Sequence, residues 1–239
     1  MKVVLSIGGS VLAPDLDAGR VEAYAAAVER VVDAGCALGV VVGGGGVARD
    51  YIGTARELGA DEIQLDQLGI AVTRLNARLL IAALGETAGV APAEDYETAV
   101  ETVRRDEVAV MGGAVPGQTT DAVAAALAES VDADLLVFAT SVDGVYSADP
   151  HADDGAEHYP ELTAGELVEV ISGIEMSAGS SSPVDLLGAK LIERSGMRTV
   201  VLDGSDPDRV VDAILDGEHA GTDILPGPDA AVPPLWDAG

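Results

Sequence analysis

Lysine is nearly absent from this chain, and basic residues as a group are few. The 239 residues include 13 lysines and arginines against 41 acids, for a formal net charge of −28, and lysine occurs only at Lys2 and Lys190. A surface with this excess of negative charge repels the phosphates of nucleic acids and anionic lipid headgroups. We therefore expect neither nucleic acid nor a membrane among the partners.

Cysteine and long apolar runs are scarce as well. Cys36 has no second cysteine to pair with, so no disulfide can form within the chain, as in proteins of a reducing cytoplasm. The first residues enter a strand pattern directly, without the features of a secretory signal, and no apolar run approaches the length of a membrane span. The sequence predicts a cytoplasmic protein.

Aromatic residues make up only 3% of the chain, whereas hydrophobic residues make up 48%. The chain can therefore bury a sizeable core, built from valine, leucine, isoleucine and alanine. Its acid-rich, lysine-poor surface is typical of a cytoplasmic protein from a halophile, although an ordinary acidic protein is the alternative. At molar salt the Debye length falls to about 3 Å, so the self-repulsion of such a surface is largely screened.

Apolar β-branched runs alternate with segments of helical periodicity along most of the chain. The predicted strands are 2–7, 37–42, 88–91, 107–111, 134–139 and 198–202, and the predicted helices are 17–34, 47–58, 61–84, 94–104, 120–130, 163–171, 183–195 and 206–215. This alternation predicts an α/β fold, a three-layer αβα sandwich around a mostly parallel sheet. Residues 140–161 are a turn-rich excursion, and the acidic, Pro-rich stretch 226–239 is predicted to be a disordered tail.

Four glycines, Gly43 to Gly46, separate a predicted buried strand from a predicted helix. Glycines at such a junction let backbone N–H groups approach an anion closely, and the start of the helix adds a partial positive charge. This pattern predicts either a phosphate site or a flexible turn whose glycines only permit tight packing. The loop has neither the Walker pattern nor GxGxxG in its required setting.

Two further glycine turns follow predicted strands, at residues 8–10 (Gly-Gly-Ser) and 112–113 (Gly-Gly). In open α/β sheets ligands bind beyond the carboxyl ends of the strands, so three such turns at one edge hold a chain of phosphates better than any one of them. Residues 116–121 (Pro-Gly-Gln-Thr-Thr-Asp) precede an Ala-rich predicted helix. Threonine and aspartate there serve either as N-caps or as ligand contacts.

Five motifs, in this order and spacing, resemble the amino acid kinase superfamily and, within it, the archaeal uridylate (UMP) kinases. They are Ile-Gly-Gly-Ser at 7–10, Val-Gly-Gly-Gly at 42–45, Pro-Gly-Gln-Thr-Thr-Asp-Ala-Val-Ala-Ala at 116–125, Ser-Val-Asp-Gly-Val-Tyr-Ser-Ala-Asp-Pro at 141–150 and Ala-Gly-Ser-Ser-Ser at 178–182. Together with the acidic composition, the resemblance implies a haloarchaeal member of this group.

The resemblance implies one amino-acid-kinase domain over residues 1–225, with a UMP-binding half to about residue 130 and an ATP-binding half over 131–225. It implies direct in-line transfer of the γ-phosphoryl group of ATP to UMP, with Mg²⁺ bridging the ATP phosphates, for pyrimidine nucleotide synthesis. It also implies a homohexamer. Two alternatives remain: another phosphotransferase of the superfamily, acting on a carboxylate, carbamate or isoprenoid phosphate, or a nucleotide-binding protein without turnover.

The resemblance also implies roles for individual residues. The positions that match the catalytic, phosphate-holding part of the ATP site are Gly9, Ser10, Gly45 and Arg49. Those that match the nucleoside end of the ATP site are Thr140, Tyr146 and Asp149. Those that match the UMP site are Gly44, Asp66, Ala114, Val115, Pro116, Gly117, Gln118, Thr119 and Thr120. No residue is assigned as a metal ligand.

Taken without the resemblance, several of these residues have plainer interpretations. Asp66 is then a solvated helix residue, and Tyr146 is equally a packed loop aromatic. Arg49 is then a surface residue, but a cation in the first turn of a helix opposes the helix dipole, which favours a phosphate partner.

The chain departs from the wider superfamily in its lysines. Ser6 stands where many relatives place a lysine two residues before the first Gly-Gly pair, and the second lysine used by several of them is replaced around Asp185. The archaeal UMP kinases also lack the first lysine. Lys190 is a candidate substitute, with helix packing as the alternative.

Overall fold

The computed structural model describes residues 1–150, 152–175, 183–227 and 232–236. Within these ranges the strands are β1 (Lys2–Ile7), β2 (Ala37–Val42), β3 (Ala109–Met111), β4 (Leu135–Thr140), β5 (Val145–Tyr146), β6 (His158–Tyr159), β7 (Glu161–Thr163), β8 (Arg198–Asp203) and β9 (Thr222–Leu225). They form a seven-stranded sheet of order β3-β2-β1-β4-β8-β9-β7, while β5 and β6 pair as a separate antiparallel ribbon.

Five neighbouring strands of the sheet run in one direction. β1 pairs in parallel with both β2 and β4, β2 with β3, and β4 with β8. β9 then runs antiparallel to β8 and parallel to β7, so the last two strands are reversed. The carboxyl ends of β1, β2, β3, β4 and β8 therefore meet at one edge, and the predicted mostly parallel sheet is confirmed.

Helices cover both faces of the sheet. They are α1 (Gly9–Leu12), α2 (Ala18–Asp33), α3 (Gly45–Glu57), α4 (Glu62–Leu84), α5 (Tyr96–Val103), α6 (Thr120–Val131), α7 (Ala164–Glu175), α8 (Leu186–Ser195) and α9 (Pro207–Leu215), with 3₁₀ turns at Pro14–Leu16 and Gly85–Thr87. One core lies between the sheet and α2, α4 and α9, and the other lies between the sheet and α5 to α8. This is the predicted αβα sandwich.

Several helices begin at an acidic or threonine side chain that accepts a backbone N–H from the first turn. The capping residues are Asp17, Asp61, Asp95, Thr119, Asp185 and Asp206. At Asp61 the cap is reciprocal, because Gln64 accepts the backbone N–H of Asp61 in return. These caps explain why the predicted helix starts fall close to the observed ones.

The differences from the sequence predictions lie in short elements and in a few boundaries. The predicted strand 88–91 is reduced to an isolated bridge between Ala88 and Val108. The short strands β7 and β9 were not predicted, because three or four residues carry too little periodicity to detect. The first turn of α3 begins at Gly45, within the glycine run itself.

α4 has the length and apolar composition of a membrane-spanning helix, although no such run was expected from the sequence. One face of α4 packs on α2, α3 and the strands β2 and β3. That face carries two buried polar residues, Thr73 and Asn76, whose side chains bond to loops at the sheet edge. These contacts are those of a core helix of the sandwich.

Residues 232–236 fall within the predicted disordered tail, yet they pack against the body. The indole N–H of Trp236 donates to the Ile214 carbonyl at 3.0 Å, and the Arg198 guanidinium lies 4.8 Å from the centre of the indole ring. For these residues the structure shows a docked segment, held by a hydrogen bond and a cation–π contact.

Candidate active site

The strand order fixes where a ligand would bind. From β1 the chain proceeds to β2 and β3 on one side of the sheet and then crosses to β4 on the other side. In open α/β sheets ligands bind outside the carboxyl ends of the strands at such a switch. The Gly8 N–H donates to the Ala139 carbonyl at 3.0 Å, which joins the end of β1 to the end of β4.

The first two glycine turns interlock backbone against backbone at this switch. A Cβ atom on Gly9 would lie 2.5 Å from the Gly44 carbonyl carbon, and one on Gly45 would lie 2.5 Å from the Gly9 carbonyl carbon and 2.6 Å from the Ser10 nitrogen. Gly45 also has a φ of +63°, a value that side chains disfavour. Both turns therefore require glycine, and the structure brings Gly9, Ser10 and Gly45 together.

Arg49 is the fifth residue of α3, about one helical turn after Gly45. Its side chain is exposed, and among the described residues it takes part in none of the ion pairs that engage Arg56 and Arg74. An unpaired cation beside exposed backbone N–H groups is an electrostatic match for an anion.

The third glycine turn is held by α4. The Thr73 hydroxyl accepts the Gly113 N–H at 2.7 Å, and the Asn76 amide donates to the carbonyls of Gly43 and Gly44 at 2.9 and 3.3 Å. Neither Thr73 nor Asn76 was singled out from the sequence. A signal was present, because Asn76 is the only asparagine of the chain and falls within an apolar helix pattern.

Asp66 also lies on α4, and its carboxylate accepts the Gly117 N–H at 2.8 Å. It therefore contacts the segment 114–120 that the sequence predicted as its partner in the UMP site. Within that segment, Gln118 accepts a hydrogen bond from the Tyr96 hydroxyl at 3.2 Å. Val115 is half exposed at the surface.

Thr119 serves as the N-cap of α6, because its hydroxyl oxygen accepts the Ala122 N–H at 3.2 Å. The cap interpretation is thus confirmed, and it leaves the neighbouring Thr120 hydroxyl without a capping role. The Thr119 hydroxyl also donates to the carboxylate of Asp185, the N-cap of α8. The N-termini of α6 and α8 therefore meet at the same edge as the glycine turns.

Asp121, in the first turn of α6, shares this junction with Asp185. Burial, with a smaller contribution from the negative charge of Asp185, raises the pKa of Asp121 to about 7, although a hydrogen bond from the Asp185 backbone acts in the opposite direction. Two carboxyl groups that cannot both ionise easily are characteristic of functional sites. Sequence reasoning left Asp121 as either a capping residue or a ligand contact and did not predict its proximity to Asp185, which lies far along the chain.

The residues predicted for the nucleoside end of the ATP site gather around one cavity. Thr140, Tyr146 and Asp149 line a space of about 110 Å³ after β4. The Tyr146 hydroxyl donates to Asp143 at 2.7 Å, which raises the pKa of that tyrosine, and the Tyr146 ring lies 5.1 Å from the His158 ring. Tyr146 is therefore both a packed loop aromatic and a wall of the cavity.

The two lysines are engaged elsewhere. Lys190 is exposed on α8 and lies 3.1 Å from Glu193, and Lys2 lies at the start of β1, 3.8 Å from Asp132. Ser6, at the position where many relatives have lysine, is buried within β1. The Ala-Gly-Ser-Ser-Ser motif at 178–182 lies outside the described residues.

An αβα sandwich whose glycine turns meet at the β1–β4 switch is an architecture for binding phosphorylated ligands. The model of the amino acid kinase family matches residues 1–203, and the chain belongs to this family. The resemblance found in the motifs is thereby confirmed.

Three proteins that the chain resembles over most of its length are named as uridylate kinases. The chain is 70% identical over 226 residues to the uridylate kinase of Halobacterium salinarum, covering 95% of this chain and 94% of that protein. It is 66% identical over 226 residues to the uridylate kinase of Haloquadratum walsbyi, with the same coverage. The crystal structure of the uridylate kinase from Archaeoglobus fulgidus superposes with a TM-score of 0.85 at 47% identity, covering 94% of this chain and all of the other.

Proposed function

We propose that this chain is a uridylate kinase, which transfers the γ-phosphoryl group of ATP to UMP and yields ADP and UDP. The observation that carries this proposal is the backbone interlock of Gly9 with Gly45 at the β1–β4 switch. This interlock brings the two glycine turns together, and their backbone N–H groups would bind the phosphates of donor and acceptor there. The uridylate kinases of 66–70% identity support UMP as the acceptor.

The chemistry requires little covalent participation from the protein. Phosphoryl transfer is catalysed by positioning the reactants and by stabilising the charge of the transition state. Gly9, Ser10 and Gly45 supply backbone N–H groups to the ATP phosphates. Arg49 supplies the positive charge that the absent lysines provide in other family members.

UMP would lie on the other side of the Gly43–Gly46 turn, with Gly44 facing it. Asp66 can accept hydrogen bonds from both ribose hydroxyls, because a carboxylate offers about four lone-pair positions and Gly117 occupies one of them. The segment 114–120 closes over the nucleotide. Gln118 and Thr120 provide donors and acceptors for the uracil edge.

The ATP nucleoside would occupy the cavity beyond β4, against Thr140, Tyr146 and Asp149. Mg²⁺ prefers oxygen ligands and keeps much of its coordination for phosphates and water. The described residues contain no cluster of three metal-ligating side chains, so ATP oxygens would supply most of the ligands.

We further propose that the chain works in the cytoplasm as a homohexamer. Large apolar side chains are exposed on α4 and at the end of α3: Leu75 on α4 is 59% exposed, and Leu58, the C-cap of α3, is 84% exposed. An exposed apolar surface on these two neighbouring helices supports the association of several copies. The molar mass measured by light scattering at molar KCl tests this, and a monomer would contradict it.

The activity is tested by ADP release in a coupled assay at molar KCl, with UMP, CMP, glutamate, acetylglutamate, carbamate and isopentenyl phosphate as acceptors. We expect turnover with UMP far above that with the other acceptors. Turnover with a carboxylate acceptor but not with UMP would replace the assignment by another kinase of the family. Tight binding of ATP and UMP without UDP would indicate a binding protein.

A further inference from the structure

Two polar side chains are buried on the sheet-facing side of α4. Asn76 is 3% exposed and Thr73 is 6% exposed, among apolar neighbours such as Val72 and Leu80. A buried polar group destabilises the fold unless its hydrogen bonds are satisfied. The hydrogen-bond partners of Thr73 and Asn76 therefore indicate the structural role of these two residues.

The side-chain amide of Asn76 bonds to the Gly43–Gly46 turn, which is proposed to contact both ATP and UMP. Its Nδ2 lies 2.9 Å from the Gly43 carbonyl oxygen and 3.3 Å from the Gly44 carbonyl oxygen. An amide NH₂ has two hydrogens, so it can serve both carbonyls. Fixing these two carbonyls fixes the peptide planes that precede Gly45, and with them the direction of the N–H groups offered to phosphate.

Thr73 directs its hydroxyl at the acceptor loop. Its Oγ1 accepts the Gly113 N–H at 2.7 Å and donates to the Ile70 carbonyl at 2.7 Å. A Cβ atom on Gly112 would lie 2.5 Å from this oxygen, so the loop is seated directly on the threonine. The same threonine is close to the other loop, because a Cβ on Gly44 would lie 3.5 Å from its methyl group.

Asp66 completes a series on the same face of the helix. Asp66, Thr73 and Asn76 are spaced by seven and three residues, which returns each to one side of an α-helix. At 1.5 Å per residue, they are about 10 Å and about 4.5 Å apart along the axis. Each bonds to a different segment at the sheet edge: Gly117, Gly113 and the Gly43–Gly44 carbonyls.

We propose that Thr73 and Asn76 are positioning residues, which use the rigid spacing of α4 to set the distance between the acceptor loop and the donor loop. The expected changes in kcat rest on the proposed kinase activity, whereas the expected changes in loop structure do not. In-line transfer is sensitive to this distance, because a misplacement of about 1 Å can lower a rate about 100-fold.

The Thr73 test compares two substitutions that divide the side chain. Thr73→Val keeps the methyl group and replaces the hydroxyl by a second methyl group, while Thr73→Ser keeps the hydroxyl and removes the methyl group. We expect Thr73→Val to lower kcat about 10- to 100-fold with the KM values for ATP and UMP changed less than about threefold. Thr73→Ser should remain within about threefold of the unsubstituted protein.

The Asn76 test uses Asn76→Asp, which preserves the shape but presents a carboxylate oxygen to the two carbonyls. We expect a fall in kcat at least as large as that of Thr73→Val. Amide hydrogen exchange of the folded variants distinguishes the effects on the two loops. Asn76→Asp should speed exchange at residues 43–46, and Thr73→Val should speed exchange at residues 112–114.

Two results would overturn the proposal: an unchanged kcat in folded Thr73→Val, or loop exchange rates that match those of the unsubstituted protein in both variants. If Asn76→Asp does not fold, the Thr73→Val and Thr73→Ser pair carries the test. If the unsubstituted protein has no activity with UMP, the proposed function fails, while the exchange measurement still decides whether α4 holds the two loops.

Discussion

The two ends of the candidate ATP site use different groups: backbone groups at the phosphate end and side chains at the nucleoside end. The phosphate end consists of backbone, because the turns at Gly9 and Gly45 leave no space for side chains between them. The nucleoside end consists of side chains around a small cavity, including Thr140 and Tyr146. Phosphate is recognised by N–H donors and charge, whereas a base and a ribose require a shaped wall.

This difference predicts different kinetic defects. A substitution at the phosphate end displaces the backbone donors and should lower kcat. A substitution at the nucleoside end removes contacts that ATP makes equally in the ground state and the transition state, so it should raise the KM for ATP. Substitutions at the two ends therefore distinguish the two roles through kcat and the KM for ATP.

Gly9→Ala should cause the largest loss. The new methyl group would lie 2.5 Å from the Gly44 carbonyl carbon, so the two turns must separate. We expect kcat to fall about 100-fold or more, since displacements of about 1 Å have effects of this size. Steady-state kinetics at molar KCl measures it.

Gly53→Ala is the matched control, because Gly53 lies within α3 and a Cβ there meets no atom within 4 Å. It should leave kcat unchanged and stabilise the fold by up to about 1 kcal/mol. Equal activity of Gly9→Ala and Gly53→Ala would show that the interlock of the two turns has no catalytic importance.

Asp66→Asn tests the acceptor side. The amide retains the volume but loses the charge and part of the acceptor capacity for the ribose hydroxyls and the Gly117 N–H. Hydrogen bonds to charged groups contribute about 1.5–3 kcal/mol, so we expect the KM for UMP to rise about tenfold or more. The KM for ATP should change less than about twofold, and an unchanged KM for UMP would remove Asp66 from the site.

Asp121→Asn tests the buried carboxyl group through stability. Burial raises the pKa of Asp121 to about 7 in the folded protein, whereas an unfolded aspartate titrates near 3.9. The folded state therefore holds an extra proton between these values, and this contribution to stability is complete below about pH 4 and is lost as the pH rises to about 7 and above.

We accordingly expect Asp121→Asn, which mimics the protonated acid, to raise Tm relative to the unsubstituted protein at pH 8. The difference should shrink as the pH falls toward 5. Asp50→Asn, at an exposed position on α3, is the matched control for the removal of one carboxylate. A Tm difference for Asp121→Asn that does not vary with pH would contradict the raised pKa.

The fold was predictable where the information is local. Strand runs such as 37–42, capped helices such as 61–84 and the glycine turns could all be recognised from periodicity and residue type. The placement of β1 between β2 and β4 could not, because it depends on which distant strands pair. The contact of the Gly9 turn with the Gly45 turn follows from that placement.

The residues of the candidate site likewise include some that were predicted from the sequence and some that were not. Asp66 and the segment 114–120 were predicted as partners through the resemblance, and the structure places them in contact. Asn76 and Thr73 were missed because a polar residue on the buried face of an apolar helix does not disturb its periodicity. The proximity of Asp121 to Asp185 was missed because the two lie on different helices.

Tyr146→Phe should have the smallest effect and sharpens the contrast between the two ends. It keeps the ring that lines the cavity and removes only the hydroxyl bonded to Asp143 at 2.7 Å. Because a single hydrogen bond contributes about 1 kcal/mol, we expect the KM for ATP to rise about two- to fivefold, with kcat and the KM for UMP nearly unchanged. A fall in kcat without a change in the KM for ATP would mean that the Tyr146 loop takes part in aligning the phosphates. The nucleoside end and the phosphate end would then not have separate roles in binding and catalysis.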